Sequence, residues 1–140
     1  MSARDSLEGL LKRVQEAQGP DRTIDAELAT EVDDCVWDDH AMGWIIPGEC
    51  GRSPQFPAYT QSIDAALALV ERVLPPEANV GLQQNWWPKG HEHERRRWSA
   101  VIDVHGRVGS ECDAPIPALA LLSALLKALS AQHTREGGEG

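Results

Sequence analysis

The sequence predicts an α+β domain, a small antiparallel sheet packed against helices with a helical hairpin at its N-terminus. Three observations lead there. Apolar residues recur at three- and four-residue steps in several separate stretches, the spacing of a single helix stripe. One stretch, Trp98–His105, alternates instead: Trp98, Ala100, Ile102 and Val104 fall on one side and Ser99, Val101, Asp103 and His105 on the other, the period of a strand with one apolar face. No crossover helix separates it from the strand-like Val80–Trp87, so the two pair antiparallel across a polar loop. With 140 residues, 15.3 kDa and 41% hydrophobic content, the chain is long enough to bury one core.

The elements follow in order. From Ser6 to Gln18, Leu7, Leu10, Leu11 and Val14 make a helix stripe, and Gly19-Pro20 stops it, since Pro cannot continue the hydrogen-bond ladder. A second helix is predicted from Arg22 to Val32, with Asp21 as N-cap and Ile24, Leu28 and Val32 as its stripe. Val36-Trp37 and Trp44–Ile46 read as a short hairpin or edge pair bounded by Gly43, Pro47-Gly48 and Gly51–Pro54. Ser62 caps the next helix, Asp64 complements its dipole, and Ile63, Ala66, Leu67, Val70, Val73 and Leu74 form the stripe that Pro75-Pro76 ends. The last helix runs from Pro115 to about Ala131. Its two adjacent leucine stripes require packing on more than one side, either between the sheet and the N-terminal helices or in an oligomer interface. The expected organisation is one domain over 1–132, divided into a helical hairpin (1–33), an irregular segment (34–57) and a helix–strand–strand–helix core (58–132). A flexible polar tail, 133–140, follows. In this reading the helices at 62–74 and 117–129 together clamp the strand at 98–104.

Charge narrows the function classes. There are 13 basic and 22 acidic side chains, a net charge of -9, which argues against binding a nucleic-acid backbone. No apolar run is long enough to cross a bilayer and no secretory leader is visible, so the cytoplasm is the expected location. Cys35, Cys50 and Cys112 are odd in number and widely spaced, which suits a reducing compartment better than a disulfide framework. The charge is uneven: residues 1–56 hold 5 basic and 12 acidic side chains, residues 57–140 hold 8 and 10. Between Arg22 and Arg52 there is no Lys or Arg, while Asp25, Glu27, Glu31, Asp33, Asp34, Asp38 and Asp39 all fall there. The plain reading is a solvated acidic face; the sharper one is a surface at Asp33, Asp34, Asp38 and Asp39 that attracts a basic protein.

Three stretches carry a family likeness: GPDRTIDAELA within Leu10–Ala29, PAYTQSIDAALALV at Pro57–Val70, and WSAVI at Trp98–Ile102 with PALALLSALLKAL at Pro117–Leu129. In this order the chain resembles the phage alpha-beta-alpha sandwich domain family of small phage and prophage proteins. The resemblance implies a phage-derived accessory protein with helices on both sheet faces and no shared catalytic motif. One departure is Ile116-Pro117 where the family typically opens its last helix with Thr-Pro; the cap must then come from elsewhere, with Asp113 the candidate.

Chemistry-bearing patterns are sparse. His91-Glu92-His93-Glu94 alternates potential metal ligands, but no other His or Cys is spaced to complete a zinc set, so it reads as a wet loop and no metal or cofactor is expected. His40 beside Asp38 and Asp39 reads as turn chemistry, with no nucleophile placed near it. There is no phosphate loop, nucleophile elbow or CxxC, and no enzyme is expected. The distinctive patch joins Trp86 and Trp87 to Arg95, Arg96, Arg97 and Trp98. Indoles stack on flat rings and guanidinium forks grip phosphate or carboxylate, so the patch is the candidate site for a small anionic, nucleotide-type ligand. Against it stands the inward packing usual for Trp on a strand, with the arginines merely solubilising a loop. The expected functions are therefore ligand capture against host defence, inhibition of a basic host protein through the acidic segment, or structural assembly as a homo-oligomer.

Overall fold

A computed structural model describes residues 3–47, 51, 53–85, 97–104 and 106–137. The helices are α1 (Ala3–Glu16), α2 (Arg22–Glu27), α3 (Ile63–Val73) and α4 (Pro117–Gly137). The strands are β1 (Val36–Asp38), β2 (Gly43–Ile45), β3 (Asn79–Asn85), β4 (Arg97–Val104) and β5 (Arg107–Ala114). This is the α+β class the sequence predicts, with a two-stranded sheet β1-β2 and a three-stranded sheet ordered β3-β4-β5, all antiparallel.

Two of the predicted caps form. Asp21 accepts hydrogen bonds from the N–H groups of Thr23 (2.9 Å) and Ile24 (3.3 Å), and Ser62 accepts from Ala65 N (3.2 Å). The second helix departs from its prediction beyond Glu27: Leu28–Val32 is a π-helical turn, followed by Asp34 in the left-handed region (φ 56°). These irregular residues swing the chain from α2 into β1, where Cys35 N bonds back to Ala29 O (2.8 Å). The sheet is also larger than predicted. Beyond the expected β3 and β4 it has a third strand, β5, paired with β4 from Val104↔Arg107 to Trp98↔Ala114 with a bulge between Trp98 and Ala100. The helix after it starts at Pro117, with Ala120 N bonded to Ile116 O (3.2 Å), and its backbone stays helical through Gly137, past the predicted end near Ala131. The side chain of Asp113, the expected cap, is outside the described residues.

α4 is the centre of the molecule. From Ala118 to Leu126 nine consecutive residues are buried, so the helix is enclosed around its whole circumference. It lies across β5 and β4, and α1 and α3 cover the rest of it. The sheet contributes Ala100, Ile102 and Val104; α1 contributes Leu7, Leu10 and Val14; α3 contributes Ala66, Leu69 and Val70. Five of the leucines of α4 (119, 121, 122, 125 and 126) are essentially inaccessible, worth about 2 kcal/mol each in apolar burial. Two expectations are corrected here. α3 and α4 do not clamp β4 between them, because α3 packs chiefly on α4. Nor do helices cover both sheet faces: among the described residues they occupy one, and Val101 and Val108 on the other are exposed.

The close approach of α4 to β5 needs a residue without a side chain at position 109. A Cβ there would lie 2.1 Å from the Ala124 carbonyl oxygen and 2.6 Å from Ala128 N, both backbone atoms. Gly109→Ala is therefore expected to cost about 3 kcal/mol or more in urea unfolding, through overpacking that only a shift of the whole helix relieves. Gly9→Ala, on the exposed side of α1 with nothing within 4 Å, is expected to add about 0.5–1 kcal/mol. Equal stability of the two variants would show that α4 does not ride on Gly109.

Candidate functional site

The hairpin β1-β2 stands on a buried polar root. Asp33, at the end of the π-helical turn, is 2% exposed, and its carboxylate takes a two-point grip from Arg72 of α3: Nε to Oδ1 at 2.8 Å and Nη2 to Oδ2 at 2.6 Å. Tyr59 Oη donates to Oδ2 at 2.5 Å, and Cys35 Sγ lies 3.6 Å from the same oxygen and 3.7 Å from Tyr59 Oη. Each carboxylate oxygen thus has a partner within the protein itself. A second buried carboxylate, Asp25, accepts from Thr60 N and Thr60 Oγ1 (both 2.8 Å) and from Arg22 Nη1 (2.9 Å). The two clusters hold the Tyr59-Thr60 segment against α2 and fix the direction in which the hairpin leaves the core.

The titration of the root follows from its burial. Burial raises the Cys35 thiol above its ordinary value of 9.0, only partly offset by the hydrogen bond with Tyr59, so Cys35 is a protonated core group and a poor nucleophile. Burial, then the hydrogen bond to Asp33, drives the Tyr59 hydroxyl far above its ordinary value of 10.0. The hydrogen bonds to Asp33 push the Arg72 guanidinium higher still, so it stays charged.

Beyond the root the hairpin is exposed and apolar. The register pairs Val36 with Ile45 on one face and Trp37 with Trp44 on the other. Trp44 bonds through its backbone to Ser53 (2.7 and 3.0 Å), which adds a bridge beside the hairpin. An edge-to-face series runs inward from Trp37 to Trp44 (5.6 Å between centroids) and from Trp44 to Phe56 (5.5 Å), and ends with the Arg22 guanidinium 4.4 Å over the Phe56 ring. At the tip, Asp38 Oδ1 accepts from His40 N (3.0 Å) and Ala41 N (3.4 Å), and Asp39 Oδ1 accepts from Trp37 Nε1 (2.7 Å). His40 thus sits in an Asx-type turn, as read from the sequence. Val36, Trp37, Met42 and Ile45 remain exposed, up to 70% for Met42, and Asp34 and Asp39 are exposed beside them.

The predicted site residues fall differently. Asp34, Asp38 and Asp39 belong to the hairpin, but Asp33 is a correction: it is buried and committed to Arg72 and Tyr59, so its charge does not reach a partner. Of the Trp/Arg patch, Trp86, Trp87, Arg95 and Arg96 lie outside the described residues, as does His91–Glu94. Arg97 enters through its backbone alone, opposite Asn85, and Trp98 is partly buried against the core. Sequence reasoning missed the apolar content of the hairpin, where the signal was four large apolar side chains and a Met within Val36–Ile45 of an otherwise acidic segment.

No family model matches the chain, and no curated protein matches it. Among solved structures it is similar to a phage protein from Bacillus cereus ATCC 14579, with a TM-score of 0.51, 21% identity, and coverage of 81% of this chain and 94% of that one. That likeness is one of fold. Among the described residues no helix is long and apolar enough to cross a membrane.

Two measurements check the root. Tyr59 is the single tyrosine, so tyrosinate absorbance reports it alone. It is expected to stay protonated in the folded protein well above pH 10 and to ionise only on unfolding. The sign follows: below about pH 9–10 both states keep the Cys35 and Tyr59 protons and stability is at its full value. As pH climbs past that range the unfolded chain sheds them and the native state does not, so the urea midpoint falls. An ordinary tyrosine titration in the native protein would contradict the buried root. Separately, Arg72→Met strands the Asp33 carboxylate and is expected to cost about 3 kcal/mol in urea unfolding, the lower end for a broken buried pair because Arg72 is partly exposed.

Proposed function

We propose that this protein works by binding another protein, without catalysis, and that the β1-β2 hairpin is its contact surface. The partner is a basic protein, and the setting is that of a phage or prophage accessory factor acting in the host cell. The observation that carries this reading is the clustering of exposed apolar side chains. Of nine large hydrophobic residues exposed among the described residues, four (Val36, Trp37, Met42 and Ile45) fall within ten residues of chain. Exposed apolar side chains gathered on one short hairpin mark an interaction surface, and a Trp rooted in a rigid aromatic series is the usual energetic centre of one. Asp34, Asp38 and Asp39 surround it, in a stretch with no Lys or Arg from Arg22 to Arg52, so a cationic partner is steered and like-charged surfaces are turned away. The phage setting is supported by the fold shared with the Bacillus cereus phage protein.

The ligand-capture reading ranks second. It rests on the residue types of Trp86, Trp87 and Arg95–Arg97, while Trp98 is drawn into the core. The two readings separate in one set of experiments. A photo-crosslinker placed at position 42 is expected to trap a basic protein from host lysate. Rebinding of that protein, once purified, is expected to weaken about tenfold or more with Trp37→Ala and with Asp34→Lys/Asp39→Lys, and to weaken with salt. Arg95→Ala/Arg96→Ala/Arg97→Ala should leave it unchanged. If the hairpin variants bind as well as the parent, and calorimetry finds heat with nucleotides that the arginine variant abolishes, the order of the two readings reverses.

A further inference from the structure

Resting on the hairpin reading above, we infer that the partner adds an extended strand to the free edge of β1, antiparallel to it, with a basic side chain on either side of an apolar one. The backbone fixes which groups are offered. Trp44 N and O both bond to Ser53, so they point away from β1. Alternation along an antiparallel ladder then makes Trp37↔Trp44 a non-hydrogen-bonded pair, with Val36↔Ile45 and Asp38↔Gly43 the bonded ones. The N–H and C=O of Trp37 therefore point outward, away from β2, and among the described residues no strand lies beyond β1. On the other side of the hairpin, Ser53 already occupies the edge of β2. At the near end of the β1 edge Cys35 N is taken by Ala29 O, so pairing starts at Trp37.

The side chains of β1 select the occupant. A residue that exchanges both hydrogen bonds with Trp37 stands on the indole face, and its two neighbours stand opposite Val36 and Asp38 on the other face. Side chains directly opposed across a ladder interact, and like charges there repel, so the neighbour facing Asp38 is cationic. The residue beside the exposed indole is apolar. A Lys or Arg facing Val36 covers that side chain with its stem and keeps its charge in water. The added strand therefore reads basic, apolar, basic. The exposed charges nearest in the chain, Glu31, Asp34 and Asp39, are acidic as well. The guanidinium of Arg72, beneath the hairpin, is committed to Asp33, and Arg52 lies outside the described residues. Self-pairing of β1 would bring two copies of these acids together, so the edge favours a foreign strand over a second copy of this chain.

A short, end-blocked peptide of alternating lysine and valine is the probe, titrated into the isotope-labelled full chain and followed by the amide resonances. N-methylation of its valines removes the N–H groups that meet the Trp37 carbonyl, whereas N-methylation of its lysines alters only the far edge of the added strand. The parent and lysine-methylated peptides are expected to bind alike, the valine-methylated peptide about tenfold or more weakly, and a glutamate-for-lysine peptide not at all. In the complex the Trp37 amide should exchange with solvent more slowly, while the Val36 amide, already in the ladder, is unchanged. Asp38→Asn, which keeps an acceptor for the turn, should weaken binding about threefold. Because the decisive change is made in the peptide, no variant has to fold for the test to read. Equal binding of the two methylated peptides overturns the inference, as does loss on lysine methylation instead, or a parent peptide that does not bind. The hairpin reading is decided separately, by Trp37→Ala against the cross-linked protein, so strand addition fails on its own if that variant weakens binding and the methylated peptides do not differ.

Discussion

A helix buried on every side has to be supplied with cover in every direction, and α4 imposes that demand on the rest of the chain. Nine consecutive buried residues leave no solvent-facing stripe, so neither the sheet nor the helices alone can satisfy it. The sheet can take its share only by coming very close, which it does where Gly109 of β5 meets the backbone at Ala124 and Ala128. Small residues on the helix, Ala120, Ala124 and Ala128 at four-residue steps, make the other half of that seam. With α4 pressed on one sheet face, α1 and α3 go to the remaining sides of α4. The layers therefore run sheet, α4, outer helices, and among the described residues no helix covers the far face of the sheet.

That constraint also explains how much of the fold was legible. Elements that advertise themselves by periodicity or by a cap were readable: the α1 stripe, the Asp21 and Ser62 caps, the Pro75-Pro76 stop, the alternation of β4 and the doubled leucine stripe of α4. β5 was not, because what packs inward from it at the tightest point is a glycine. The sequence Arg107–Ala114 has no apolar alternation to detect, since its contribution to the core at Gly109 is the absence of a side chain. The π-helical turn was hidden for a different reason. Ile24, Leu28 and Val32 keep a helical period whether the turn closes four residues back or five, so pattern alone extends α2 unbroken.

The candidate site was half legible, and the missing half is electrostatic. Seven acids without an intervening cation look like a solvated face, yet Asp25 and Asp33 are among the most buried residues of the protein. What identifies them is distant in sequence: Arg72 lies 39 residues beyond Asp33, and Thr60 lies 35 beyond Asp25. Burying a carboxylate demands that its lone pairs be met, and here each oxygen of Asp33 is. Such a group cannot also serve a partner. It serves the hairpin instead, because the residues it locks stand immediately before β1, and a contact surface binds more tightly when its approach angle is already fixed.

The exposed apolar residues of the hairpin sit among acids, which has consequences for what the hairpin can meet. Two hairpins brought together would stack Asp34, Asp38 and Asp39 against their own copies, a repulsion that grows as the apolar contact excludes water and salt. A basic partner inverts the sign of that term and leaves the Trp37 contact unchanged. Charge thus assigns the hairpin to a basic partner before any shape is considered, and the anchor at Asp33 keeps that surface attached to the core.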